Sequence, residues 1–131
     1  MSIYLLIKTD QPQAEIYLYK DHDKAQEENW LADRRLAETI HLKIKSVLTR
    51  EGLRDFNLTG IGIFQGPGSF TGLRIGHSVA NALAYGLNLP IVGTSGENWV
   101  KDALRRLTSG ENDKLVVPEY GAQARVTKPR K

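Results

Sequence analysis

The chain has 131 residues, enough for one domain that buries roughly two-thirds of its unfolded surface around a single core. It contains no cysteine, which excludes disulfides, thiolate metal sites and thiol redox chemistry, and no apolar run approaches the roughly 18 residues of a membrane span. Net charge is +3, but four cations, Arg125, Lys128, Arg130 and Lys131, stand in the last seven residues, so the rest of the chain is close to neutral. These features lead us to expect a soluble, cytoplasmic protein whose basic end can touch nucleic acid or stay solvated.

Residues 3–7 form a continuous apolar run rich in strand formers, as in a strand covered on both faces. Residues 15–19 predict a second strand, a polar break at 20–24 a hairpin, and residues 25–30 a more polar edge strand. From 33 to 50 the period becomes helical, with Leu36, Ile40, Ile44, Val47 and Leu48 on one stripe. Asp33 is the expected N-cap and Gly52 the residue after the C-cap, while Leu42 falls on the outer face.

Residues 61–64 predict the next strand. It leads into Gly66-Pro67-Gly68-Ser69-Phe70-Thr71-Gly72-Leu73-Arg74-Ile75-Gly76, a glycine-rich turn opening into a helix at 71–87. Along that helix Gly72, Gly76, Ala80 and Ala84 recur every four residues beside Leu73, Val79, Leu83 and Leu87. Such a ridge admits a close neighbour, either this chain's own sheet or a helix of a second chain. A fifth strand at 90–95 and a third helix at 97–107 complete the order, and residues 115–118 are a candidate for one strand more. The order implies a mixed five-stranded α/β sheet with helices on its faces.

The turn does not match the known phosphate cradles. No Lys-Ser or Lys-Thr follows its glycines, and Gly66, Gly68 and Gly72 are spaced one residue too far apart for G-x-G-x-x-G. Ser69 does not sit in G-x-S-x-G and reads as a helix cap. His22, His41 and His77 are scattered, so no metal site, catalytic residue or cofactor is expected. The segment Gly66, Pro67, Gly68, Ser69, Phe70, Thr71 is therefore read as a structural joint. The alternative is a minimal nucleotide-binding or hydrolytic protein built around it.

The motif from Gly66 to Gly76, with the strand before it and Leu89-Pro90-Ile91-Val92-Gly93-Thr94-Ser95 after it, resembles bacterial TsaB, also called YeaZ. The resemblance implies a single lobe of ribonuclease-H-like, actin-like ATPase type over residues 1–118, followed by a basic, flexible tail at 119–131. It also implies a noncatalytic partner of TsaD, which transfers a threonylcarbamoyl group to the adenosine next to the anticodon of certain tRNAs. A small ATPase, TsaE, joins that assembly, and tRNA is met indirectly or through the tail at Arg125, Lys128, Arg130 and Lys131.

In that family two helices form the pairing surface, used for TsaD or for a second TsaB. Here they correspond to residues 33–50 and 71–87, which puts Leu36, Ile40, Leu42, Gly72, Arg74, Gly76, Val79, Ala80, Leu83 and Ala84 at the interface. On this view Gly76→Leu or Ala80→Leu breaks pairing and spares the fold. Two departures are visible: Lys8-Thr9-Asp10 stands where the family's first strand usually ends Asp-Thr-Ser, and Leu36 stands where the family often has a histidine near the start of the first helix. A chain ending at Lys131 is also expected to lack the second lobe, and with it a closed nucleotide cleft.

Overall fold

The computed structural model describes residues 1–121; the basic positions Arg125, Lys128, Arg130 and Lys131 lie outside the described residues. Strand β1 (Ile3–Lys8) is flanked on one side by β2 (Gln13–Lys20) and β3 (Asp23–Leu31), both antiparallel to their neighbours. On the other side β4 (Gly60–Phe64) and β5 (Ile91–Thr94) run parallel, giving the order β3-β2-β1-β4-β5. The central position of β1 explains its unbroken apolar run, since both of its faces are covered.

Alternation along the strands divides the core in two. Ile3, Leu5 and Ile7 join Ile16, Leu18, Ile61, Ile63 and Ile91 beneath α1 (Leu36–Arg50) and α2 (Phe70–Leu87). Tyr4 and Leu6 point the other way, meeting Phe64, Val92 and the Trp99, Ala103, Leu104 and Leu107 face of α3 (Trp99–Thr108). There Phe64 meets the Trp99 ring edge-on at 5.7 Å. Each large apolar side chain buried in this way contributes about 1.5–3 kcal/mol. A surface ion pair contributes about 0–1 kcal/mol, so the two apolar layers dominate stability.

The polar edge strand β3 is pinned by the end of α1. Glu28 pairs with Arg50 and, at 3.4 Å, with Lys43, while Gln26 donates to Glu51 at 2.5 Å. Trp30 Nε1 donates to Thr39 Oγ1 at 2.9 Å. Charge along an exposed edge also discourages pairing with other chains.

Three local expectations differ from the structure. Asp33 does not cap α1: it sits in a short 3-10 turn at φ 47°, and the helix begins at Leu36. The cause is the Pro12 carbonyl, which accepts from both Ala32 N–H and Asp33 N–H at 2.9 and 3.1 Å and turns the chain before the helix can start. Ser69 stands at the N-cap of α2 but its hydroxyl makes no capping bond. Residues 115–118 form no strand, because Asn81 takes the backbone of Val116 in place of a neighbouring strand, accepting from its N–H at 3.0 Å and donating to its carbonyl at 2.9 Å.

The folded body also continues past residue 118, where the sequence placed its end. Glu119 N–H donates to the Gln65 carbonyl at 2.8 Å, and the Tyr120 ring lies 4.6 Å from that of Phe70.

Candidate protein-protein interface

The glycine turn holds its shape by close approach to its own chain. A Cβ on Gly68 would come to 2.4 Å from Asp10 Cβ, one on Gly72 to 2.4 Å from the Thr9 carbonyl oxygen, and one on Gly76 to 2.1 Å from Thr9 Oγ1. Gly66, at φ 127°, meets the Glu119 carbonyl in the same way at 2.2 Å. Ser69 N–H donates to the Asp10 carbonyl at 2.8 Å, and Thr9 Oγ1 donates to the Gly72 carbonyl at 2.8 Å. The end of β1 thus fills the space beside the turn. Lys8 closes it, with its ammonium 2.7 Å from Asp10 and 4.6 Å from the centre of the Phe64 ring.

These contacts decide which way α2 faces. Gly76, Ala80 and Ala84 are buried against the sheet, as are Leu36 and Ile40 of α1. The small-residue ridge is therefore packed on this chain's own core and does not line an outer surface, and Leu36 and Ile40 serve that same core. Gly76→Leu or Ala80→Leu would disrupt the fold itself.

The outward faces carry other residues. Leu42 is 66% exposed on α1 and Tyr85 is 91% exposed on α2. Arg74 is exposed, and Gly72, Val79 and Leu83 are half-buried at the margin of α2. Ser78, Ala82 and Gly86, four residues apart and all exposed, form a second small-residue stripe that points to solvent. The sequence reading missed this stripe. Its signal was present in the same repeat of four, and only the buried partner of the first ridge distinguishes the two.

Between the helices lies a groove in two continuous parts that share His41. One part, about 440 Å³, is lined by Ala37, Thr71, Arg74, Ile75, Ser78 and Val79. The other, about 730 Å³, runs past Lys45, Leu48, Leu53, Arg54 and Leu83. Apolar Ile75, Val79, Leu48, Leu53 and Leu83 share the walls of the groove with polar Thr71, Ser78, Thr49 and Asp55, and Lys45, Arg54 and Arg74 also line it. Arg74 is held over the Phe70 ring at 5.3 Å. This geometry suits helices from another molecule packing side by side with α1 and α2. Among the described residues, no three His, Asp or Glu side chains converge.

A family model described as TsaD, tRNA N6-adenosine threonylcarbamoyltransferase, matches residues 30–100, from the end of β3 through the glycine turn to α3. TsaB of Haemophilus influenzae, a tRNA threonylcarbamoyladenosine biosynthesis protein, is 34% identical over 84 residues, 64% of this chain and 36% of that protein. The chain belongs to the TsaD/TsaB (YeaZ) family.

A TsaD-type relative, the tRNA N6-adenosine threonylcarbamoyltransferase of Geotalea daltonii, is 42% identical over 65 residues, covering 50% of this chain and 19% of the transferase. Among solved structures, a Pseudomonas aeruginosa protein described as similar to the peptidase YeaZ superposes with a TM-score of 0.68 at 25% identity, over 72% of this chain and 44% of that one. The sheet order and this neighbour give the fold as ribonuclease-H-like and actin-like. The chain spans between about a fifth and a third of the length of these TsaD and TsaB relatives.

Proposed function

We propose that this chain is a noncatalytic binding subunit in tRNA threonylcarbamoyladenosine biosynthesis, docking on a TsaD-like transferase through the outer faces of α1 and α2. The observation that carries the proposal is the groove between those helices, lined in part by Ser78, together with exposed Leu42 on α1 and exposed Ala82 and Gly86 on α2. Apolar groups exposed beside small residues are what close helix packing between two molecules requires. The names of the relatives supply the pathway: one group is the transferase, the other a biosynthesis protein of the same modification.

The glycine turn supports a structural part for itself in this scheme. The space a ligand would need beside Gly68, Gly72 and Gly76 is taken by Thr9 and Asp10 of the same chain. A TsaE-like ATPase and tRNA are further members of the proposed assembly, the tRNA met indirectly or through Arg125, Lys128, Arg130 and Lys131.

The test is co-purification with the TsaD-like transferase of the same organism. Leu42→Asp and Ala82→Trp alter only exposed positions, so both variants should keep the wild-type circular dichroism and melting temperature while losing the transferase. Retained binding by both, with the fold intact, would rule the proposal out.

A further inference from the structure

Residues 115–120 belong to no helix or strand and are held against α2 and the glycine turn mainly by side chains. The segment has a fixed start. Asp113 N–H donates to the Ile91 carbonyl at 2.7 Å, Gly93 N–H donates to the Asp113 carboxylate at 2.9 Å, and Lys114 then turns the chain at φ 69°. Past that hinge, Asn81 holds Val116 with both ends of its amide, Gln65 Nε2 donates to the Val117 carbonyl at 2.8 Å, and Tyr120 lies on Phe70. Two glycines make room for it: a Cβ on Gly93 would come to 2.5 Å from Val116 Cγ1, and one on Gly66 would strike the Glu119 carbonyl. The segment is a strap with a hinge and a built seat.

A buried histidine shares a wall with this strap. His77 lines the same cavity of about 210 Å³ as residues 115–118 and Tyr120. The Leu73 carbonyl can only accept, so Nδ1 carries the ring proton and Nε2 of the neutral ring is a bare acceptor. Nε2 is buried and has no hydrogen-bond partner among the described residues. A second proton there would be an unmatched buried donor and charge. The ionisable groups around it do not reach Nε2. α2 contributes the cation Arg74, the strap contributes Glu119 and Tyr120, and β1 contributes Asp10, already tied to Lys8 at 2.7 Å. β4 and β5 carry no ionisable side chain, and His41 of α1 faces the groove between the helices.

We infer that residues 115–120 are a pH-released strap: protonation of His77 favours a state in which the segment lifts from α2 about Lys114 while the five-stranded sheet stays folded. Lifting lets water reach Nε2, and it uncovers Phe70 and the strip beside Gly66 and Gly93. The strap gives way before the sheet because Val116 is its one buried side chain, whereas two apolar layers hold the strands. The device does not depend on the docking face proposed for α1 and α2.

The test follows amide exchange of the full chain by NMR at about pH 7.5 and pH 5, each rate divided by its random-coil value at that pH. Opening at residues 115–120 should rise by up to about 30-fold, the limit for a group whose exposed value is about 6.5, while β1 and β4 remain much better protected. His77→Met takes up no proton, so its strap should open equally at both pH values. Linkage requires the converse as well: in Asn81→Ala, where the strap is already loosened, the His77 ring resonances should titrate closer to an ordinary imidazole than in the wild type. That second measurement decides the matter even if His77→Met does not fold. A pH-independent strap in the wild type, a rise that persists in His77→Met, or equal protection of strap and sheet at pH 5 overturns the inference. So does a His77 titration that Asn81→Ala leaves unmoved.

Discussion

The hydroxyl of Thr9 occupies the place where a side chain on Gly76 would begin. A Cβ there would lie 2.1 Å from Thr9 Oγ1 and 3.1 Å from its Cβ and Cγ2, and that hydroxyl is itself bound to the Gly72 carbonyl at 2.8 Å. The contact joins the end of the central strand to the helix that follows the glycine turn. Gly76→Ala gains about 1 kcal/mol in helix propensity but must displace bonded atoms, and overpacking of this kind costs about 1–3 kcal/mol or more. The variant should therefore be less stable in urea at unchanged m. Thr9→Ala removes the nearest atom, so the double variant should recover about 1 kcal/mol or more relative to the sum of the singles.

Gly86 provides the opposite case on the same helix. Nothing lies within 4 Å of a Cβ built there. Gly86→Ala should stabilise the chain by about 0.5–1 kcal/mol, as expected for an exposed helical glycine. If the Ser78, Ala82 and Gly86 stripe receives a partner helix, Gly86→Leu should leave the melting temperature at or above wild type and still weaken transferase binding. A destabilised Gly86→Ala variant would show that this end of α2 is packed differently.

Asn81 holds the segment after α3 with both ends of its amide, at 2.9 and 3.0 Å from the carbonyl and N–H of Val116. Val116 itself is buried among the side chains under α2. Asn81→Ala leaves two backbone groups without their partners and should cost about 1–3 kcal/mol. Amide exchange should rise selectively at residues 115–120 while β1 and β4 keep their protection. Uniform exchange across the sheet would mean that the segment is not separately latched.

His77 predicts a pH dependence. It is 2% exposed, and its Nδ1 donates to the Leu73 carbonyl at 2.7 Å. Burial pushes the imidazole below its ordinary value, partly opposed by that carbonyl. The folded state therefore keeps His77 neutral at a pH where the unfolded chain binds a proton. This makes the His77 contribution complete above the unfolded value of about 6.5 and progressively lost as pH falls below it. Urea midpoints should drop between about pH 7.5 and pH 5, and His77→Met should remove a measurable part of that drop. An identical decline in the variant would exclude His77 as the source.

Much of the architecture was legible along the chain. The two-sided apolar run of β1, the polar edge of β3 and the stripe on α1 each state their own environment, because hydrophobic period reports which faces meet water. Leu42 was read as outward-facing and is. The eleven residues from Gly66 to Gly76 carried the family, and the family model takes in that same stretch. Period does not report what a buried face touches, and there the sequence reading failed. Gly76, Ala80 and Ala84 have the spacing of a partner ridge, yet their neighbours are Thr9 and this chain's own core, more than 60 positions away for Gly76. Asp33 lost its cap to the carbonyl of Pro12, and residues 115–118 lost their strand to the side chain of Asn81.

Local composition thus determined the elements, their amphipathic faces and the kinship of the chain, because propensity and period act over a few residues. Which small-residue stripe faced inward was decided only when β1 and the glycine turn came together, since a clash at Thr9 exists only in three dimensions. The outward stripe at Ser78, Ala82 and Gly86, and the α2 wall of the groove, follow from that single orientation of α2.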